Sequence, residues 1–327
     1  MRAIVITQYG GPEVLAIETR PDPAPKPGEV LIEVKAFGLN HAELYFRQGL
    51  WGEVASISGI ECVGRVRHDP EGRLVRGQKV IALVGGMGRS IDGSYAELVC
   101  APSSNVVAIE SELSWAELAA IPESYATAWT SLIEILALEK DQTVVIRGAT
   151  SALGQAAINI AAERGARVIA TTRNPLRFGM LESLGAGEVL LESGELAPQL
   201  RERHGRGVDA VLDVVGNTTV LDSLALLRRG GRVCLVGFLG GGGPLTLEPV
   251  FQIPSGTYWS VFASALVTGT PAFPLSDIPF QTIVQRVAEG IYKAKPARVF
   301  RFAEIQHAHR LMESGEAGGK IVVCVDP

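Results

Sequence analysis

Apolar residues in the first hundred positions recur in short alternating runs, RAIVIT, PDPAPKPGEVLIEVKAFG, ECVGRVRHD, KVIALVGG and SYAELVCA, broken by glycine, proline and charged residues. A period of two marks half-buried strands, so this stretch predicts a β-rich unit with irregular connections. From about Ile121 the repeating units lengthen. VVIRGA leads into a helix near Ala152 to Arg164, ARVIATT follows, and Pro175 to Leu184 again reads as helix. EVLL, a helix around Leu196 to His204, VDAVLDVVG, a helix running to Leu227 and GGRVCLVGF continue the alternation. Strands alternating with helices of this length predict an α/β doubly wound parallel sheet covered on both faces. The helix-like EIQHAHRLMESG and the closing GGKIVVCVDP leave that pattern. They are expected to return to the first domain, which is then discontinuous: 1–118 with 266–327, around a second domain at 119–265.

The first strand-to-helix corner of the α/β region reads GATSALG. Gly148 and Gly154 keep the six-residue spacing of a dinucleotide-binding turn, with Ser151 where a further glycine is usual. Small side chains at Ala149, Ser151 and Ala152 leave the backbone amides, including that of Leu153, open to a pyrophosphate, and the Ser151 hydroxyl offers another donor. Taken alone, the heptapeptide fits a plain structural corner as well. About twenty residues on, where an NAD-selective chain places a carboxylate on the ribose, this one reads ATTRNPLR. Asn174 and Pro175 form an N-cap with proline at the first helical position. Arg173 then lies at the positive end of a helix, where an anion is its natural partner. A ribose 2′-phosphate held by Thr172, Arg173 and Arg177 fits this pattern; the alternative is a solvated arginine pair.

Composition narrows the partners. The 327 residues carry 30 basic and 35 acidic side chains, a formal net charge of −5, with no long run of either sign. Neither nucleic acid nor an anionic membrane has a matching surface, no apolar run is long enough to span a bilayer, and no secretory leader is visible. A cytoplasmic protein acting on a small molecule is expected. Cys62, Cys100, Cys234 and Cys324 are scattered, three of them in apolar runs, which reads as reduced thiols. His307 and His309 lie two apart on a helix, face different ways and cannot clasp one metal ion.

In their order along the chain, GGPEVL, PGEVLIEVKAFGLNHAELYFRQG, GIECVGRV, GSYAELV, IPESYATAWTSL, GATSALG, GVDAVLDVVG, GGRVCLVGF and GGKIVV resemble the zinc-free quinone oxidoreductases related to zeta-crystallin. Those enzymes are a branch of the medium-chain dehydrogenase/reductase superfamily. The resemblance implies a GroES-like catalytic domain wrapped around a Rossmann domain, with the active site in the cleft between them. Alcohol dehydrogenases of the superfamily hold catalytic zinc through a cysteine, a histidine and a second cysteine. The first two positions are Asn40 and Ile60 here, and neither supplies a thiolate or imidazole. Metal-free hydride transfer from NADPH to a quinone or enone is the implied chemistry.

Within GLNHAELYFRQG the resemblance assigns Asn40 and Tyr45 to the acceptor oxygen, where a donor must meet developing negative charge. His41 stands where the family has proline and offers another proton source. Thr127, Gly237 and Phe238 are expected near the nicotinamide, with the glycines after Phe238 forming a movable loop, and Lys320 is expected to reach a cofactor phosphate. Glu192 lies at about the point where relatives stack a tyrosine near the 2′-phosphate, and it would repel that phosphate if it faced it. TYWSVFAS resembles the family's dimer strand, so a homodimer is expected; an interior strand is the alternative. The rival functions are an alkenal or enoyl-thioester double-bond reductase and a low-turnover NADPH-binding sensor.

Overall fold

A computed structural model describes residues 1–325. The chain forms two compact units, Met1–Glu123 with Ala265–Gly290 and Ala294–Pro327, and Ser124–Ser264 with Ile291–Lys293.

The first unit begins with a β-hairpin-like pair, β1 (Arg2–Ile6) and β2 (Leu15–Thr19), antiparallel to each other. β3 (Glu29–Gly38) follows the proline-rich segment, and its alternation buries Val30, Ile32, Val34 and Ala36 on one face. A single helical stretch, His41–Arg47, separates it from β4 (Glu61–His68), β5 (Lys79–Leu83), β6 (Leu98–Pro102) and β7 (Val106–Ala108). These are the alternating runs of the sequence, each short because a glycine, proline or charged turn ends it.

The second unit carries β8 (Thr143–Arg147), β9 (Arg167–Thr172), β10 (Glu188–Leu191), β11 (Val208–Asp213), β12 (Leu227–Leu235) and β13 (Tyr258–Val261). All pair in parallel, in the order β10-β9-β8-β11-β12-β13. The chain winds outward from β8 in one direction, then returns and winds the other way from β11. That is a doubly wound Rossmann sheet, with its reversal point between β8 and β11. The connecting helices include Ala152–Glu163, Phe178–Ser183, Ala197–His204 and Val220–Ala225. The segment expected as one helix from Pro175 begins as a 3-10 turn, Pro175–Arg177, because Asn174 caps it and proline removes a donor. β13 is an edge strand with Tyr258 and Val261 exposed, so the interior-strand alternative falls away.

After the second unit the chain adds β14 (Arg298–Arg301), the helix Ile305–Ser314 and β15 (Ile321–Cys324). They extend a seven-stranded GroES-like sheet, β14-β15-β3-β4-β5-β7, with β6 also on β3. The amphipathic helix buries Ile305, Ala308 and Met312 against the strand core. His309 is buried and His307 exposed, as their spacing requires. No disulfide joins the four cysteines; Cys62 and Cys234 are buried, Cys100 and Cys324 half-buried. Among the described residues, no helix is long and apolar enough to cross a membrane.

Candidate functional site

The GATSALG corner follows β8 at the reversal point of the second unit's sheet. Gly148 adopts φ +74°, which side-chain-bearing residues rarely take, and the chain turns there into the helix Ala152–Glu163. At Gly154 an added Cβ would lie 2.6 Å from both Ala149 Cα and the Gly148 carbonyl oxygen, so only glycine lets the helix approach the turn this closely. Ser151 is the N-cap: its Oγ accepts from Gly154 N at 3.0 Å. The hydroxyl proton goes to the Gly148 carbonyl at 2.8 Å. This corrects the expectation of Ser151 as a phosphate donor, since its one O–H already serves the turn. The first-turn amides of Ala152 and Leu153 lack acceptors within the helix and carry its positive dipole end, which suits them to an anion.

One strand over, β9 ends at Thr172, whose Oγ1 accepts from Asn174 N at 3.1 Å. Asn174 Oδ1 accepts from Leu176 N at 3.0 Å, the cap that the sequence pattern predicts. Arg173 is exposed and Arg177 partly so, and neither forms an ion pair among the described residues. Glu192 is engaged elsewhere: its carboxylate turns inward onto the buried Arg147, with Thr171 Oγ1 donating at 2.8 Å. The repulsive carboxylate considered for this strand end is therefore paired within the protein. Desolvation would raise the Glu192 pKa, but the Arg147 guanidinium outweighs it and holds the carboxyl below the usual range.

Gly237 and Phe238 follow β12. An added Cβ at Gly237 would sit 2.7 Å from the Val214 carbonyl, and Phe238 is exposed. Leu239 N and Gly240 N bond to the Val214 and Val215 carbonyls, and Asn217 Nδ2 donates to the Gly243 carbonyl. The glycine run is thus tethered at both ends, and only Gly241 to Gly243 have open space around a would-be Cβ. Thr127 is buried on the helix Pro122–Trp129, which continues into a π-helical stretch, Thr130–Ile135. π-Helical turns are rare and concentrate at functional positions.

In the first unit, Asn40 caps the helix His41–Arg47, and its backbone N–H donates to the Glu43 carboxylate. Its carboxamide is fully employed. Nδ2 donates to Glu61 Oε1 at 2.9 Å, and Oδ1 accepts from Lys320 Nζ at 2.7 Å. Lys320 also pairs with Glu61, whose other oxygen accepts from Glu123 N at 2.7 Å. The expectation that Lys320 reaches a cofactor phosphate is corrected here: the side chain is 5% exposed and its ammonium is held by Glu61 and Asn40. Asn40 as donor to an acceptor oxygen meets the same obstacle, because its N–H groups already have internal partners.

Glu43, wholly buried, takes N–H bonds from Asn40 and, at 3.0 Å, from Ile60. Burial pushes its carboxyl up to about 8. The hydroxyl of Tyr95, next to Glu43, lies 3.1 Å from His309 Nε2, and burial lowers that histidine to about 3. Tyr45, one turn into the same helix, differs. It is half-buried, its ring stacks on Trp51 at 6.2 Å, and its hydroxyl has no hydrogen-bond partner among the described residues. Burial raises its pKa, so the phenol stays protonated and able to donate. His41 is exposed at the helix start.

The zinc-ligand positions do not fit a metal. Asn40 is spoken for by Glu61 and Lys320, and Ile60 is a buried aliphatic. No cluster of three potential ligands occurs among the described residues. Sequence reasoning missed Arg147, Glu43 and Glu61. For Arg147 and Glu61 the available signal was one charged residue inside an apolar run, as in VVIRGA and GIECVG, since such a charge is rarely buried unless paired.

Residues 26–111 match the alcohol dehydrogenase GroES-like domain and residues 152–271 match the zinc-binding dehydrogenase domain. A quinone oxidoreductase of Homo sapiens is 30% identical over 73% of this chain and 74% of its own. A mycobacterial protein solved in complex with NADPH superimposes with TM-score 0.86 at 26% identity, covering 99% of both chains. The CurK enoyl reductase does so with TM-score 0.83 at 26% identity, again over 99% of both. With its Rossmann turn, its GroES-like sheet and these likenesses, the chain belongs to the quinone oxidoreductase branch of the medium-chain dehydrogenase/reductase superfamily, an oxidoreductase family that uses a nicotinamide cofactor.

Proposed function

We propose that the protein is an NADPH-dependent reductase of quinones or similarly electron-poor carbonyl compounds, working without a metal. The observation that carries this reading is Tyr45: a protonated phenol with no hydrogen-bond partner among the described residues, on an aromatic platform with Trp51, at a position the quinone reductase motif shares. A flat quinone ring matches such a platform. The Gly148 to Gly154 turn would hold the pyrophosphate through the Ala152 and Leu153 amides, and Arg173 with Arg177 would hold the 2′-phosphate. Thr127, Gly237 and Phe238 are assigned to the nicotinamide end.

When bound, the reduced nicotinamide supplies a hydride. Tyr45 donates its hydrogen bond, and then its proton, to the carbonyl oxygen on which negative charge develops, and recovers a proton from water. Asn40 acts indirectly by fixing the start of the helix that carries Tyr45. The edge strand β13 supports a homodimer formed by strand pairing. The likeness to an enoyl reductase favours a second reading, reduction of a conjugated double bond with the same proton donor.

Oxidation of NADPH followed by absorbance, with a small quinone, a 2-alkenal and an enoyl thioester in turn, tests the assignment. Fast turnover with the quinone supports it, preference for the thioester replaces it with the second reading, and tight NADPH binding without turnover on any of the three identifies a sensor.

A further inference from the structure

Arg147 is completely buried at the C-terminal end of β8, the central strand of the second unit. Its Nη2 and Nε donate to the two oxygens of Glu192 at 2.5 and 3.1 Å. Its Nη1 donates to Asp222 at 2.8 Å, Ser223 at 3.1 Å and the Thr219 carbonyl at 3.2 Å. Glu192 is closed off on its remaining sides by Thr171 Oγ1 at 2.8 Å and Gly194 N at 3.0 Å. Leu191 pairs with Thr172, so Glu192 and Arg173 are the next residues on adjacent strands, whose backbones lie about 5 Å apart. A carboxylate swung free at that point would oppose any phosphate drawn to Arg173 and Arg177.

We propose that Arg147 is a specificity-determining positioning residue: by holding Glu192 inward in a two-bond ion pair, it lets this strand end accept a nucleotide 2′-phosphate despite the carboxylate in the sequence. The inference rests on the NADPH reading above. Without Arg147, Glu192 keeps only a hydroxyl and one amide, and its charge is uncancelled. Asp222 stays bonded to Leu196 N and Ala197 N and does not turn toward the phosphate.

Calorimetric titration of NADPH and NADH into wild type, Glu192→Gln, Arg147→Gln and the double variant tests this, with circular dichroism as the check of folding. Arg147→Gln is expected to weaken NADPH at least tenfold and NADH less than threefold, and adding Glu192→Gln should restore most of the NADPH affinity. Glu192→Gln alone should change the ratio of the two affinities less than threefold, because its charge is already matched. Loss of both cofactors alike in a folded Arg147→Gln protein, or no recovery in the double variant, would overturn the proposal. Should Arg147→Gln not fold, a tenfold rise in NADPH preference in Glu192→Gln alone would overturn it equally, and an unchanged ratio in both Glu192→Gln and the double variant would support it. A wild type that prefers NADH defeats the cofactor reading instead, while the change in ratio between variants still reports on Arg147.

Discussion

The cluster around Glu61 in the first unit sets Lys320 against Glu61 and the nearby Glu43, the cluster around Arg147 in the second sets one cation against Glu192, Asp222 and the buried Asp213, and the carboxylates of the two differ. Arg147 forks, spending separate N–H groups on Glu192 and Asp222, and the Glu192 carboxyl is held below its usual range. Lys320 is a point charge. It reaches Glu61 and the Asn40 amide, leaving Glu43 with backbone amides and a carboxyl pushed up to about 8. Burial therefore holds the Glu43 carboxyl up, whereas Glu192, although also desolvated, is held down by two N–H bonds from one guanidinium. Outside these clusters, the Tyr45 hydroxyl in the first unit and the Arg173 and Arg177 guanidinium groups in the second have no hydrogen-bond or ion-pair partner among the described residues. The paired groups hold the fold, and the proposed function assigns the others to ligands.

The largest expected effect comes from deleting each cation. Lys320→Met strands Glu61 in the interior and should cost about 3–5 kcal/mol in urea unfolding, most of it recovered by adding Glu61→Gln. Arg147→Met should cost more, since two carboxylates lose their partner, and equal losses would break the comparison. Next, Tyr45→Phe should lower kcat/KM for a quinone about a hundredfold while leaving stability within about 0.5 kcal/mol. A large loss of stability in Tyr45→Phe would place that hydroxyl among the paired groups.

The pH dependence of stability sharpens the contrast further. Glu43 keeps its proton to about 8 when folded but only to 4.5 in the ordinary state, so its contribution is complete below 4.5 and lost as pH rises to 8. His309, moved from 6.5 to about 3, contributes fully above 6.5 and loses this as pH falls to 3. From these two groups, unfolding free energy should be level between 4.5 and 6.5 and fall by about 2 kcal/mol from 6.5 to 8. Glu43→Gln should abolish the fall on the alkaline side, and a fall that persists would assign it elsewhere. The smallest effect is that of Arg173→Ala: NADPH binding about tenfold weaker by calorimetry and NADH binding unchanged. Equal weakening of both would deny Arg173 a role in reading the phosphate.

Much of the fold was legible. Alternation with a period of two marked the strands of the first unit, the longer βα repeats marked the second, and glycines at 148 and 154 located the turn at its reversal point. Asn174 was readable as a cap because its partner amide lies two residues away. Lys320 was not readable, because the partners that bury it, Asn40 and Glu61, are 280 and 259 positions distant. Ser151 was misjudged for a local reason: a serine before a helix offers the same hydroxyl to a phosphate and to its own turn, and the turn is always present.

Strands, helices and the point where the chain reverses could thus be read along the chain alone, since all of these follow from periodicity and backbone constraints acting over a few residues. It took the tertiary structure to show which polar groups are paired and which are not, Arg147 with Glu192 and Lys320 with Glu61 against the Arg173 guanidinium and the Tyr45 hydroxyl. Coulombic pairing and desolvation depend on distance in space, and neighbours in space here are tens to hundreds of residues apart along the chain.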